Sequence, residues 1–318
     1  KASKRGDAYA KYGLGNCYYN CNHNGYHNGK SLEQNRIIAA KLYCEAAKLG
    51  NVYAQYQLGD CYRYGHGVTK DYTESIKWYL KAAKQEHSEA QYQLGNCYYY
   101  GYGVEQDCSK AVEWWLKAAE QGYYGAQYNL GNCYYRGCGV EQNYSKATEW
   151  WLKAAEQGHI KAQYDLGCCY YDGRGVGQDY SKAVKWWLKV AEKGYIEAQY
   201  KLGNCYYDGI GVVQSYVEAV KWYRRAVKFD NADAQYRLGW CYYYGYGVEQ
   251  DYTEAVGWLL KASEQGNTEA QRVLGCCYHH GNGVEQDYGK AVELWLKAAG
   301  QGDASSQHNL GICYFHGC

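Results

Sequence analysis

The stretch Leu94-Gly95-Asn96-Cys97-Tyr98-Tyr99-Tyr100-Gly101-Tyr102-Gly103-Val104 decides the fold, because the same phrase returns along the whole chain at a fixed interval. Its central glycine recurs at Gly15, Gly59, Gly95, Gly131, Gly167, Gly203, Gly239, Gly275 and Gly311. From Gly59 onward each step is 36 residues, and only the step from Gly15 to Gly59 is longer, by eight. Units of that size cannot bury an apolar face alone and must stack on copies of themselves, so the period by itself indicates a solenoid.

The unit from Ser88 to Gly122 shows how each copy is built. On a 3.6-residue helix Ala90, Leu94, Cys97, Tyr98 and Gly101 share one face, which defines a helix A with a buried stripe. Gly95 lies on its flank, where a missing side chain is expected to let the next repeat's helix approach. Gly101-Tyr102-Gly103-Val104 breaks the helix, since glycine takes backbone angles that other residues avoid. Asp107 and Ser109 are both candidate caps for a helix B, in which Ala111, Trp114, Trp115 and Ala118 share a face and Gly122 ends the helix. The expected architecture is all-α: a right-handed α-solenoid superhelix of 36-residue helix-turn-helix repeats, forming one domain over residues 1–318. It would hold nine copies of helix A and eight full copies of helix B, with an eight-residue insertion near residues 20–35 of the first repeat. Both ends fall inside a repeat without a polar cap, so further chain is expected on one or both sides.

The pattern Ala90…Leu94-Gly95…Tyr98…Gly101-x-Gly103-Val104…Asp107…Ala111…Trp114…Ala118-Ala119…Gly122 resembles the Sel1-like repeat, a relative of the tetratricopeptide repeat, and the likeness covers essentially the whole chain. What the resemblance implies is an adaptor that holds other proteins together. Secreted, cysteine-rich bacterial members of the family staple helix A to helix B at positions that correspond to Gln91 and Ala119, a pair this chain lacks. Some of those relatives have been linked to β-lactam binding or hydrolysis. Here no Ser-x-x-Lys pair sits in a plausible pocket and no Ser/His/Asp set converges, so an enzyme is the least favoured reading.

Composition narrows the partners. Lys and Arg number 34, Asp and Glu 33, and the two signs are interspersed, so no sequence-wide field favours nucleic acid or an anionic membrane. No apolar run approaches the roughly 18 residues of a membrane span. The partner class left is a protein or peptide segment, or a larger assembly into which the solenoid is built.

Nine of the sixteen cysteines stand two residues after the repeated glycine, from Cys17 and Cys61 to Cys277 and Cys313, on the buried face of helix A. Equivalent stacked helices lie roughly 8–10 Å apart, whereas a disulfide needs its Cα atoms within about 7 Å, so this ladder reads as small core side chains. Thiols in such number fit a reducing compartment, the cytosol by preference. The run Cys17-x3-Cys21-x-His23-x3-His27 has nearly zinc-like spacing. Its first member belongs to the core ladder and the rest lie among Asn22, Asn24, Gly25, Asn28 and Gly29, an ordinary loop composition, so no metal is assigned. Cys276-Cys277-Tyr278-His279-His280 and Cys313-x2-His316-x-Cys318 are weaker, because consecutive helical residues point to different faces. Gly25-x3-Gly29-Lys30-Ser31 falls short of a phosphate-binding loop in spacing and context. No cofactor is expected.

Binding is expected on a second stripe of helix A, opposite the buried one, at i, i+4 and i+7: Tyr92, Asn96 and Tyr99. It recurs as Tyr128, Asn132 and Tyr135; Tyr164, Cys168 and Tyr171; Tyr200, Asn204 and Tyr207; and Tyr236, Trp240 and Tyr243. Tyrosine gives contact area at small entropic cost and asparagine can bond an extended backbone, so these positions are expected to line an open inner groove. The competing reading packs the rings between repeats with their hydroxyls wet. Trp240 stands out as an exposed tryptophan where other repeats carry Asn. Lys221, Arg224, Arg225 and Lys228 read as a solvated outer face, and the loop from Asn20 to Asn35 as a second contact surface.

Overall fold

Capping chemistry sets where each helix starts and stops. The computed structural model describes residues 2–20, 26–27 and 30–316. Among them are nine copies of helix A: α1 (Ala2–Tyr19), α3 (Val52–Tyr64), α5 (Ser88–Tyr100), α7 (Tyr124–Arg136), α9 (Ile160–Asp172), α11 (Ile196–Asp208), α13 (Ala232–Tyr244), α15 (Thr268–His280) and α17 (Ala304–His316). Eight copies of helix B alternate with them: α2 (Leu32–Lys48), α4 (Tyr72–Ala83), α6 (Cys108–Glu120), α8 (Tyr144–Glu156), α10 (Tyr180–Ala191), α12 (Tyr216–Ala226), α14 (Tyr252–Glu264) and α16 (Tyr288–Gly300). Asp107 caps α6 through its side chain, accepting from the Lys110 amide at 2.9 Å, while Ser109 lies inside the first turn. Gly101 closes α5 in the left-handed conformation at φ 72°, as its counterpart closes every helix A whose C-cap is described.

Within each unit helix A packs on the helix B before it and the helix B after it, as α5 does on α4 and α6 and α13 on α12 and α14. Ala90, Leu94 and Cys97 on one side and Ala111, Trp115 and Ala118 on the other are fully or almost fully buried. Removing one such leucine from water is worth roughly 1.5–3 kcal/mol, repeated in every unit. The close approach at Gly95 is made by Trp115 of the same repeat's helix B, not by the next repeat's helix, and a Cβ there would collide with the indole. The indole Nε1 then donates to the Tyr92 carbonyl at 3.2 Å, and Trp151, Trp187 and Trp295 repeat the bond to Tyr128, Tyr164 and Arg272. Trp114 is half-buried on the flank, with the Lys117 ammonium 4.4 Å over its ring.

Successive repeats are also tied by a glutamine ladder. Gln91, on α5, donates to the Ala83 carbonyl at the end of α4 and accepts from Gln121 at the end of α6, at 3.3 and 2.7 Å. Gln55 with Gln85, Gln127 with Gln157, and Gln271 with Gln301 repeat both halves of the arrangement. The position that cysteine-rich relatives use for a staple therefore carries a buried amide here.

Two expectations are corrected at the first repeat. A capping box between Ser31 and Gln34 starts α2 at Leu32, so the inserted segment ends there, and Asn35 is fully buried inside the helix. The hairpin β1 (Tyr26–His27) and β2 (Lys30–Ser31) pairs Tyr26 with Ser31 just before it. Cys17 is exposed, whereas the other eight ladder cysteines are buried, because no helix precedes α1 among the described residues to cover that face. By contacts the chain divides into two compact units, Lys1–Ala162 and Gln163–Cys318, and the same alternation of helices builds each.

Candidate functional site

The second stripe of helix A is half-buried. Apart from Tyr236, whose ring contact is Trp240 on its own helix, the tyrosines in it lean on rings from neighbouring elements: Tyr92 on Tyr123 at 4.8 Å, Tyr99 on Trp115 at 5.3 Å, Tyr128 on His159 at 4.4 Å and Tyr135 on Trp151 at 5.2 Å. In the second unit Tyr164 leans on Tyr195, Tyr171 on Trp187, Tyr200 on Tyr223, Tyr207 on Tyr216 and Tyr243 on Tyr252. Burial raises the Tyr99, Tyr171, Tyr207, Tyr236 and Tyr243 phenols above their ordinary value, so at neutral pH they are hydroxyl donors.

The amide rungs have internal duties. Asn96 is buried, donating to Gln93 at 3.1 Å and accepting from Asn129 of the next repeat at 3.4 Å. Asn204 accepts the Tyr223 hydroxyl at 2.7 Å. The same pairing joins Tyr43 to Asn16 and Tyr79 to Asp60. A rule missed in the sequence follows: where helix B offers tyrosine in place of tryptophan, the stripe offers an oxygen to receive its hydroxyl.

Trp240 obeys a related rule and is not the freely exposed ring expected. Helix B carries Leu259 where other repeats carry Trp or Tyr, and the half-buried Trp240 packs against that leucine's cluster, filling the space. Its Nε1 donates to the Tyr207 hydroxyl at 3.2 Å, and its ring lies 4.6 Å from Tyr244 and 6.0 Å from Tyr236.

In the first unit the stripes of two consecutive repeats meet around one cavity of about 150 Å³. Tyr99 contributes from α5 and Asn132 from α7, together with Tyr100, Asn129, Arg136, Cys138 and the edge of Trp115. Arg136 is exposed at the end of α7, one turn beyond Asn132, so a guanidinium and two amides face the same space. Such a set suits a carboxylate or a chain of backbone carbonyls. Wider hollows of about 490 and 460 Å³ gather no stripe residue; they lie at helix B, lined by Leu260, Leu294 and Lys297 in one and Lys84, Trp114 and Glu120 in the other.

Nucleophilic chemistry finds no support in the cysteine ladder. Burial pushes Cys61, Cys133, Cys169, Cys205, Cys241 and Cys277 up to about 12, leaving inert core thiols. Among the described residues no group of three or more His, Cys, Asp and Glu side chains is placed to hold a metal ion. Cys21 and His23 of the zinc-like run lie outside the described residues. Lys221, Arg224, Arg225 and Lys228 are exposed, with Lys221 on Glu218 at 2.6 Å and Arg225 over Trp222 at 4.5 Å. No helix among the described residues is long and apolar enough to cross a membrane.

A sequence profile described as the Sel1 repeat matches residues 8–51, 52–87, 88–123, 125–159, 160–195, 196–228, 232–267, 268–303 and 304–317. No curated protein matches the chain significantly. Among solved structures, a protective antigen of uropathogenic Escherichia coli strains displaying an SLR fold is similar at 35% identity, with a TM-score of 0.90, over 97% of this chain and 65% of that one. This chain thus spans just under two thirds of that antigen's length. A Sel1 repeat protein from Oxalobacter formigenes is similar at 34% identity, with a TM-score of 0.68, over 96% of this chain and 86% of that one. Solenoids of this kind are typically protein-interaction scaffolds and generally not enzymes. With matches to the repeat running from residue 8 to residue 317, the chain belongs to the Sel1 repeat family.

Proposed function

We propose that this chain is a non-enzymatic scaffold that holds an extended protein segment against its helix A faces, with Tyr and Asn side chains of successive repeats as the contact surface. The observation that carries the reading is the cavity shared by Tyr99 of one repeat and Asn132 of the next, with Asn129 and Arg136 beside them. Half-buried rings already held against neighbouring rings are stiff before any partner arrives, so docking costs them little entropy. A peptide carbonyl accepts from the asparagines, and an acidic side chain of the segment pairs with Arg136. The remaining stripe residues, through Tyr236, Trp240 and Tyr243, extend the same chemistry in the second unit.

The test uses peptides selected on the intact chain from a random display library. Their affinity for a Tyr99→Ala/Arg136→Ala double variant is expected to fall at least tenfold while the helical circular dichroism is unchanged. Equal affinity for both proteins would remove the reading.

A second reading is a length of solenoid built into a larger assembly, as repeat arrays that stack on copies of themselves can be. Sizing of the protein purified from its source separates the two, since a free monomer excludes the assembly.

A further inference from the structure

At one inter-repeat contact two departures from the repeat's own pattern coincide. From α4 onward the first residue of helix B is tyrosine at Tyr72, Tyr144, Tyr180, Tyr216, Tyr252 and Tyr288, but Cys108 in α6. The residue between the two turn glycines is His66, Tyr102, Arg174, Ile210, Tyr246 or Asn282 in other repeats, but Cys138 after α7. These two positions face each other across the repeat boundary. Tyr72 stacks on Tyr102 at 5.2 Å and Tyr216 on Tyr246 at 4.9 Å. At the boundary of the third and fourth repeats the two sulfurs meet instead, 2.7 Å apart.

The contact is held by backbone and not by chance side-chain reach. Gly139, at φ 74°, lets the turn lie directly on the Cys108–Ser109 peptide, where any Cβ would collide. The Ser109 hydroxyl donates to the Gly139 carbonyl at 3.4 Å. Both thiols are only half-buried and reachable from solvent, unlike the core ladder.

We propose that Cys108 and Cys138 form a disulfide that staples the third repeat to the fourth when the chain meets a small-molecule disulfide such as oxidised glutathione. One thiolate of the pair attacks a sulfur of the oxidant, forming a mixed disulfide and expelling one glutathione thiolate. The second thiol loses its proton and attacks the protein sulfur of that mixed disulfide, closing the Cys108–Cys138 bond and expelling the other glutathione thiolate. Both expelled thiolates take up a proton, so two cysteine thiols are oxidised and one glutathione disulfide is reduced. Closure requires the sulfurs to draw in by a fraction of an ångström, to about 2.05 Å. Burial and the hydrogen bond to Cys108 push the Cys138 thiol up to about 11, so closure quickens as pH rises. Because Cys138 also lines the cavity beside Arg136, the bond pins one wall of that cavity. The inference stands apart from the docking reading, and its test needs no partner.

The intact chain is incubated with excess oxidised glutathione, denatured, alkylated and digested with trypsin without reduction. The fragment spanning residues 137–146 carries Cys138 as its one cysteine, whereas Cys133 falls in the fragment spanning residues 118–136. The expected product joins residues 137–146 to residues 85–110 through Cys108, disappears on adding dithiothreitol, and is absent from Cys108→Ser, whose 137–146 fragment is alkylated in full. The oxidised chain is also expected to melt several degrees above the reduced one, a difference lost in Cys108→Ser. Full alkylation of residues 137–146 in the unmodified chain, or their linkage to the Cys133 fragment, would overturn the proposal.

Discussion

At the residue scale the array is a set of compensations between helix A and helix B. Asp60 occupies the position that holds Asn16 and Asn204 in other repeats, and like them it receives a tyrosine hydroxyl. Burial raises its carboxyl above the ordinary value, opposed by hydrogen bonds from Tyr79 and Tyr56 and by the Arg63 charge. A carboxyl raised on folding contributes stability that is fully present below its unfolded value and is lost as pH rises through its folded value. Asp60→Asn keeps the acceptor and removes the ionisation. It is therefore expected to raise the urea midpoint at pH 7 and to have little effect below about pH 4. Trp240 and Leu259 make the second pair. Trp240→Asn alone is expected to cost about 2 kcal/mol by opening a void over Leu259. Adding Leu259→Trp, which copies the Asn132 and Trp151 arrangement, is expected to recover more than half of that loss in a double-mutant cycle read by urea unfolding.

At the element scale, helices, turns and core were legible in the sequence because they depend on local spacing. Ala90, Leu94 and Cys97 lie where a 3.6-residue period puts them, and Gly101 takes the left-handed angle that its place after a helical run demands. The contacts between elements were not legible. The indole bond from Trp115 to the Tyr92 carbonyl and the link from Gln121 to Gln91 join residues 23 and 30 positions apart, beyond any local periodicity. The stripe is half-buried, and the duties of Asn96, Asn204 and Trp240 inside the fold depend on what the facing helix carries. One rung of the glutamine ladder exposes the cost of a departure. Gln199 donates to the Ala191 carbonyl at 3.0 Å, yet its Oε1 is buried without a partner, because Phe229 stands where other repeats place the donor glutamine. Phe229→Gln is expected to stabilise the chain by about 1 kcal/mol, measured as a rise in the urea midpoint at unchanged slope.

At the scale of the whole molecule, one repeated unit supplies the fold and the departures from it supply individuality. Nearly balanced, interspersed charge leaves no sequence-wide field to steer a partner, so the proposed recognition rests on shape and short-range polar groups. Those groups converge in the cavity between Tyr99 and Asn132, beside the exposed Tyr100 and Arg136. Site-specific photo-cross-linking tests this most directly: a benzophenone amino acid replaces Tyr100, at the cavity, or Lys185, exposed on helix B. A segment held against helix A gives cross-linked partner from position 100 and none from position 185. Capture from position 185 with none from position 100 would contradict the account.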